Sequence, residues 1–167
     1  MPLAETVKRY LDQSGADYEI VEHPRTLAST HTAREAHVPG QDVAKAVVLQ
    51  DDQRFLMVIV PATHEVELGV LHEELDRPVG LATAAEVNQL FPDCDPGAVP
   101  PLGPAYGLET LIDESVGTDP EIYFEGGDHQ SLVRMRAETF LDLLRDARAG
   151  QYSHPMQSNH SRGKRMH

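Results

Sequence analysis

The sequence predicts a single α/β domain, and three observations carry that prediction. Residues 43–60 hold two runs of β-branched and apolar residues on either side of Asp51-Asp52-Gln53, the pattern of a buried hairpin. Two Thr-x-x-Glu capping boxes, at Thr32–Glu35 and Thr83–Glu86, open helices. The 167 residues suffice for one sizeable core but not for two.

Taken in order, Leu3, Val7, Tyr10 and Leu11 follow helical spacing and Gly15 is placed to stop the helix, which is expected over residues 3–13. Tyr18 to His23 reads as a short strand ended by Pro24, and the Thr32 box opens a short helix. The strands Val43–Leu49 and Phe55–Val60 are apolar enough to be central ones. Leu68, Leu71 and Leu75 suggest a helix near residues 66–76, and the Thr83 box a second reaching Phe91; both are expected to cover the sheet. Pro92 through Pro104 holds five prolines and two glycines in thirteen residues, too many for a regular element, and reads as a rigid, shaped loop. Leu111-Ile112, Ile122–Phe124 and Leu132–Met135 are strand candidates, the last two joined by a turn at Gly126-Gly127. A closing helix around Ala137–Ala147 is expected to turn Phe140, Leu141 and Leu144 inward. Gln151–His167 has no apolar period, so the domain is assigned to residues 1–150 and the rest to a flexible tail.

Composition narrows the function classes. Charged residues make up 25% and hydrophobic ones 40%, which opposes disorder despite twelve Gly and twelve Pro. No apolar run spans a membrane and the N-terminus lacks a signal-peptide plan, so a soluble cytoplasmic protein is expected, with no membrane partner. Cys94 stands alone, which excludes an internal disulfide and a cysteine-rich zinc site. The formal charge is −13, and residues 1–150, with 11 basic against 27 acidic side chains, carry −16. That field repels phosphate backbones, so DNA is not an expected partner and any RNA must be gripped locally.

Three places have the makings of chemistry. Lys45 is the sole lysine between Lys8 and Lys164 in a chain with eleven arginines, and alternation places it with Val43, Val47 and Leu49 on one strand face. A compact ammonium there suits a phosphate or carbonyl oxygen, against the plainer reading of a snorkelling edge lysine. Asp95 to Pro104 combines prolines that pre-set the backbone with glycines that admit unusual torsions. Before the double proline Pro100-Pro101, the amides of Gly97, Ala98 and Val99 are the available donors for an oxyanion or a carbonyl; the plainer reading is a rigid connector. Gly127-Asp128-His129 brings a histidine after a glycine turn, as acid, base or polar anchor, or as an ordinary surface turn. His64 and His72 with their neighbouring glutamates match no zinc spacing, nothing flanking Cys94 identifies a base, and no phosphate loop is present. No metal or cofactor is expected.

Together these residues resemble the YbaK/ProX aminoacyl-tRNA deacylases, which are related to the editing insertion domain of bacterial prolyl-tRNA synthetases. The resemblance runs from about Tyr18 to Leu144. It rests on Val43-Ala44-Lys45 leading into Val47-Val48-Leu49, Leu81-Ala82-Thr83 with Glu86, Phe91-Pro92-Asp93-Cys94, Gly97-Ala98-Val99-Pro100-Pro101-Leu102-Gly103, Ile112-Asp113 and Tyr123 through His129. It implies a mixed α/β fold whose curved or partly barrel-like sheet, of about six or seven strands, is flanked by helices. It also implies hydrolysis of the ester joining a wrong amino acid to tRNA, by water or a group of the substrate, without a covalent intermediate. On this resemblance Lys45 binds the terminal nucleotide or the aminoacyl carbonyl, Gly97 to Pro101 supply the family's G-x-x-x-P loop, and His129 orients the substrate, with Gly127 and Asp128 beside it. The acceptor end of a mischarged tRNA is the implied partner, with Arg25 and Arg34 as further cations and an aminoacyl-tRNA synthetase as a second partner. Well-known members carry Asn or Thr after the lysine where this chain has Ala46, which removes a substrate hydrogen bond. That substitution and the acidity leave open a binding or regulatory module that keeps the fold and hydrolyses nothing.

Overall fold

The computed structural model describes residues 3–24, 38–52 and 54–156. In chain order the elements are α1 (Glu5–Ser14), β1 (Glu19–Glu22), β2 (Val43–Gln50), β3 (Phe55–Pro61), β4 (His64–Val66), α2 (Leu68–Leu75), β5 (Gly80–Leu81) and α3 (Ala84–Leu90). They continue with β6 (Glu109–Asp113), β7 (Glu121–Glu125), β8 (Ser131–Arg136), α4 (Ala137–Leu143), β9 (Arg148–Gly150) and β10 (Ser153–Pro155). Short 3-10 turns cover Gly40–Asp42 and Gly103–Tyr106. The helix opened by Thr32 and the cations Arg25 and Arg34 lie outside the described residues.

The main sheet has eight strands, ordered β1-β8-β7-β2-β3-β6-β9 with β5 on β2, and β4 and β10 form a separate pair. It is mixed: β2 runs antiparallel to β3 and parallel to β7, while β6 runs parallel to both β3 and β9. The hairpin is central, as its sequence requires. Ala44, Val48, Met57, Ile59 and Phe124 join Val7 and Leu11 of α1 and Phe140 of α4 in the larger core cluster. Leu49, Leu56, Val58 and Val60 face a smaller cluster with Leu71 of α2 and Tyr152. Strands covered on both faces need no polar side, which is why β2 and β3 read as unbroken apolar runs.

The sequence signals for helix ends hold. Gly15 caps α1 at φ 72°, and Thr83 and Glu86 close a complete capping box on α3. Two expectations need correction. Leu141 is exposed: α4 ends at Leu143, and one inward face of so short a helix takes Phe140 and then Leu144, one turn on. The C-terminal segment is not featureless from residue 151. Tyr152 is 1% exposed, its amide donates to Asp113 Oδ1 at 2.7 Å, and Ser153–Pro155 pair antiparallel with His64–Val66. Residues 157–167, including Arg162, Lys164 and Arg165, lie outside the described residues.

Candidate active site

The proline-rich segment folds as its composition demands. Asp95-Pro96-Gly97-Ala98 forms a tight turn closed by the Ala98 amide donating to the Asp95 carbonyl at 2.9 Å. Proline at its second position and glycine at φ 81° at its third make it type II. The Ala98 amide is therefore engaged inside the turn, and its methyl is fully buried. Among the described residues the amides of Gly97 and Val99 make no hydrogen bond, so these two, and not three, are the donors the loop offers. Pro100 and Pro101 are both buried and fix the loop's far side.

A second turn locks the first. Beyond β7, Gly126 to Gln130 link to β8, and the Gly127 carbonyl accepts from the Asp95 amide at 2.8 Å. His129, 3% exposed and at φ 61°, places Nε2 2.6 Å from the Pro96 carbonyl. A carbonyl only accepts, so Nε2 carries a proton and donates. His129 thus clamps the type II turn through its ring. Asp128 closes its own turn, its Oδ1 accepting from the Gln130 and Ser131 amides at 2.9 and 2.8 Å. Both glycines are closely packed, and the positive φ of Gly127 favours glycine there. A Cβ on Gly126 would lie 2.5 Å from Leu3, and one on Gly127, at φ 120°, 3.0 Å from Ala4.

Cys94 sits beneath Gly127, its Sγ 3.4 Å from the Tyr106 hydroxyl, which itself donates to Asp93 Oδ1 at 3.0 Å. Burial pushes the thiol up to about 12, so it stays protonated and is no nucleophile at neutral pH. Asp93 is structural, its Oδ2 accepting the Thr6 amide at 2.9 Å and tying the start of α1 to this loop.

Lys45 lies on β2 between β7 and β3, which excludes the edge-lysine reading. It is half-buried, its polar contact is a long 3.5 Å bond to the Ala62 carbonyl, and burial pushes its pKa down, with Glu65 partly opposing. Such an ammonium is pre-desolvated and has donors to give. Ala46 occupies the opposite face, packed against the larger cluster, and does not share the face Lys45 presents. No hydrogen bond joins Lys45 to the 95–101 loop. What connects them is β7: Tyr123 pairs with Val43, so Glu125, two residues on, shares the Lys45 face and stands where the second turn begins.

Glu125 was not singled out in the sequence. Its Oε1 accepts the His129 amide at 3.0 Å and the Gly127 amide at 3.4 Å, holding the turn whose histidine clamps the loop. A lone acid at a strand end reads as solvated, and only the turn four residues later betrays it. Among the described residues no group of three or more His, Cys, Asp or Glu is arranged to hold a metal, and no helix is long and apolar enough to cross a membrane.

Comparisons with known proteins agree with this geometry. Among solved structures, a candidate trans-editing enzyme for prolyl tRNA synthetase superposes with a TM-score of 0.79 at 24% identity, over 92% of this chain and 98% of that one. The hypothetical protein APE2540 gives 0.79 at 20%, over 90% and 100%. A scaffold used in computational epitope grafting gives 0.78 at 24%, over 90% and 97%. At such identities these likenesses establish the fold alone. Among curated proteins no match was found. Residues 23–143, which contain Lys45, the clamped turn and His129, match the aminoacyl-tRNA editing domain, and the chain belongs to that family.

Proposed function

We propose that this protein hydrolyses mischarged aminoacyl-tRNA in trans, releasing the amino acid and intact tRNA. The observation that carries the reading is the type II turn at Asp95–Ala98, whose Gly97 and Val99 amides have no partners among the described residues while His129 holds the turn in place. When water adds to the ester carbonyl, the carbonyl oxygen becomes an oxyanion, and fixed amides stabilise it at no reorganisation cost. Collapse of that intermediate breaks the bond to the ribose oxygen, and the leaving oxygen takes a proton from water or the neighbouring hydroxyl. Lys45 supplies a cation to the terminal nucleotide or the ester carbonyl, while the protonated thiol of Cys94 takes no part. Contact is confined to the acceptor end, since residues 1–150 carry a net −16 that repels phosphate backbones, with Arg25 and Arg34 as candidate further contacts and a synthetase as the partner that hands over substrate.

Single-turnover deacylation of Ala-, Cys- and Ser-tRNA tests this. At least one should be hydrolysed, Lys45→Ala should lose about 10²-fold or more, and Lys45→Arg should recover little, because a planar guanidinium does not replace a compact ammonium. Cys94→Ser should keep most activity and trap no acyl-enzyme. A dead Cys94→Ser beside an active Lys45→Ala would falsify the assignment, and binding of charged tRNA without hydrolysis would identify a binding module instead.

A further inference from the structure

Two acceptor atoms near the Lys45 face of the sheet have no hydrogen-bond partner among the described residues, and one of them, His23 Nε2, is buried. Glu125 uses Oε1 for the turn amides, while its Oε2 makes no hydrogen bond among the described residues. His23 follows β1, and its amide extends the ladder to the Gln130 carbonyl at 2.9 Å. Its side chain is 7% exposed, with Nδ1 2.7 Å from the Pro24 carbonyl. That carbonyl can only accept, so Nδ1 carries the proton, and Nε2 of the neutral ring is a bare lone pair. This Nε2 is buried and has no partner among the described residues. Burial pushes the Glu125 carboxyl up, and His129 and His23, whenever protonated, draw it back, so His23 lies within electrostatic reach of the carboxylate.

A buried acceptor without a donor costs free energy until a donor arrives. Beside a carboxylate, the donor that gains most is cationic. A carboxylate in a site for a phosphate-bearing substrate is repulsive unless that substrate also brings a positive charge. An aminoacyl ester brings one, a primary ammonium one carbon from the ester carbonyl, with three N–H groups to distribute. We propose that Glu125 Oε2 and His23 Nε2 receive the α-ammonium of the aminoacyl group, so that the protein reads a free amino terminus and rejects N-acylated esters. The inference rests on the deacylase reading for its substrate class. Lys45 on β2 then takes a substrate oxygen and Glu125 on the neighbouring β7 the substrate cation, which orients the ester between them.

The test is calorimetric binding of two non-hydrolysable, amide-linked aminoacyl-adenosines, one with a free amine and one N-acetylated. The wild-type protein should prefer the free amine by about tenfold or more, on the scale of one charge-assisted hydrogen-bonded contact. Glu125→Gln, which keeps an acceptor oxygen for the turn amides, and His23→Phe should each bring the ratio close to one, with folding checked by thermal melt. If Glu125 only holds the turn, Glu125→Gln weakens both analogues alike and preserves the ratio, which overturns the proposal. Equal binding of both analogues by the wild type, or binding of neither, overturns it as well. Because binding needs no hydrolysis, a protein that shows the preference yet deacylates none of the panel overturns the deacylase reading and leaves the ammonium site standing.

Discussion

Gly97→Ala separates the catalytic from the structural meaning of the clamped turn. Gly97 sits at φ 81°, where an L side chain costs about 1–2 kcal/mol. An added Cβ would lie 3.6 and 3.7 Å from Cε1 and Nε2 of His129, which is ordinary contact, so the perturbation is torsional and not steric. A loss of that size lowers the melting temperature of a domain this long by about 2–8 °C and leaves it folded. The turn can relieve the strain by passing from type II to type I, which rotates the Pro96–Gly97 peptide. That rotation turns the Gly97 N–H out of the site and swings the Pro96 carbonyl off His129, so one fixed donor and its clamp are lost together. Removing one oxyanion donor costs about 10²–10³-fold in rate. Single-turnover deacylation well below the melt should show that loss. A variant with the lowered melt but a rate within about threefold of wild type would show that the Gly97 amide does not touch the reacting atoms.

Four further outcomes are expected. Tyr152→Phe removes a buried hydroxyl that has no partner among the described residues and should stabilise the protein by about 1 kcal/mol, read as a higher melt; a lower melt refutes the unpartnered hydroxyl. Ending the chain after Met156 should leave the melt unchanged, whereas ending it after Gly150 removes the Tyr152 ring, a loss of about 3–5 kcal/mol before the β4–β10 pairing is counted; equal melts contradict this. Burial, with Asp119 beside it, pushes the Asp42 carboxyl up to about 6, so the folded state holds a proton that the unfolded chain has released, and stability should rise as pH falls from about 7 to about 5. Asp42→Asn should flatten that trend, and an unchanged slope sinks the assignment. Deacylation should fall with ionic strength at a shallow slope, since a local grip releases few counterions; a steep slope implies a broad tRNA footprint.

The parts of the fold that could be read in the sequence are those where local chemistry has no alternative. The hairpin at residues 43–60 was legible because strands covered on both faces tolerate no polar side, and α3 because Thr83 and Glu86 satisfy each other's backbone. The pairing of β10 with β4 was not, because two three-residue strands carry too little pattern to distinguish from a polar tail. Tyr152 shows the limit: one aromatic among polar neighbours has no period, and only tertiary packing against Leu71 and Leu111 makes it core. Leu141 departs in the opposite direction: helical spacing alone points it inward, but a helix that ends at Leu143 buries only one narrow face.

The site divides along a similar line. Its proposed donors are backbone groups, and a backbone site appears in sequence as torsional chemistry, so Pro96, Gly97 and the double proline announce a shaped loop without telling which amides it frees. That choice depends on the Asp95–Ala98 bond and on a histidine thirty-three residues away in the chain. Lys45 was conspicuous through rarity and an apolar setting, but its relation to the loop runs through β7 and Glu125, and no spacing rule links residues on parallel strands joined by a long crossover. The same reasoning says which changes the loop should ignore. Val99 contributes an amide while its side chain packs at the margin of the larger cluster, so Val99→Ile should keep the deacylation rate within a few-fold. Pro96→Ala frees φ at the second turn position, which the proline ring had fixed, and leaves the peptide held by the His129 bond alone. Its rate should fall below that of Val99→Ile, although Pro96 is exposed and Val99 half-buried. The reverse order would mean that the loop acts through its side chains and not through its amides.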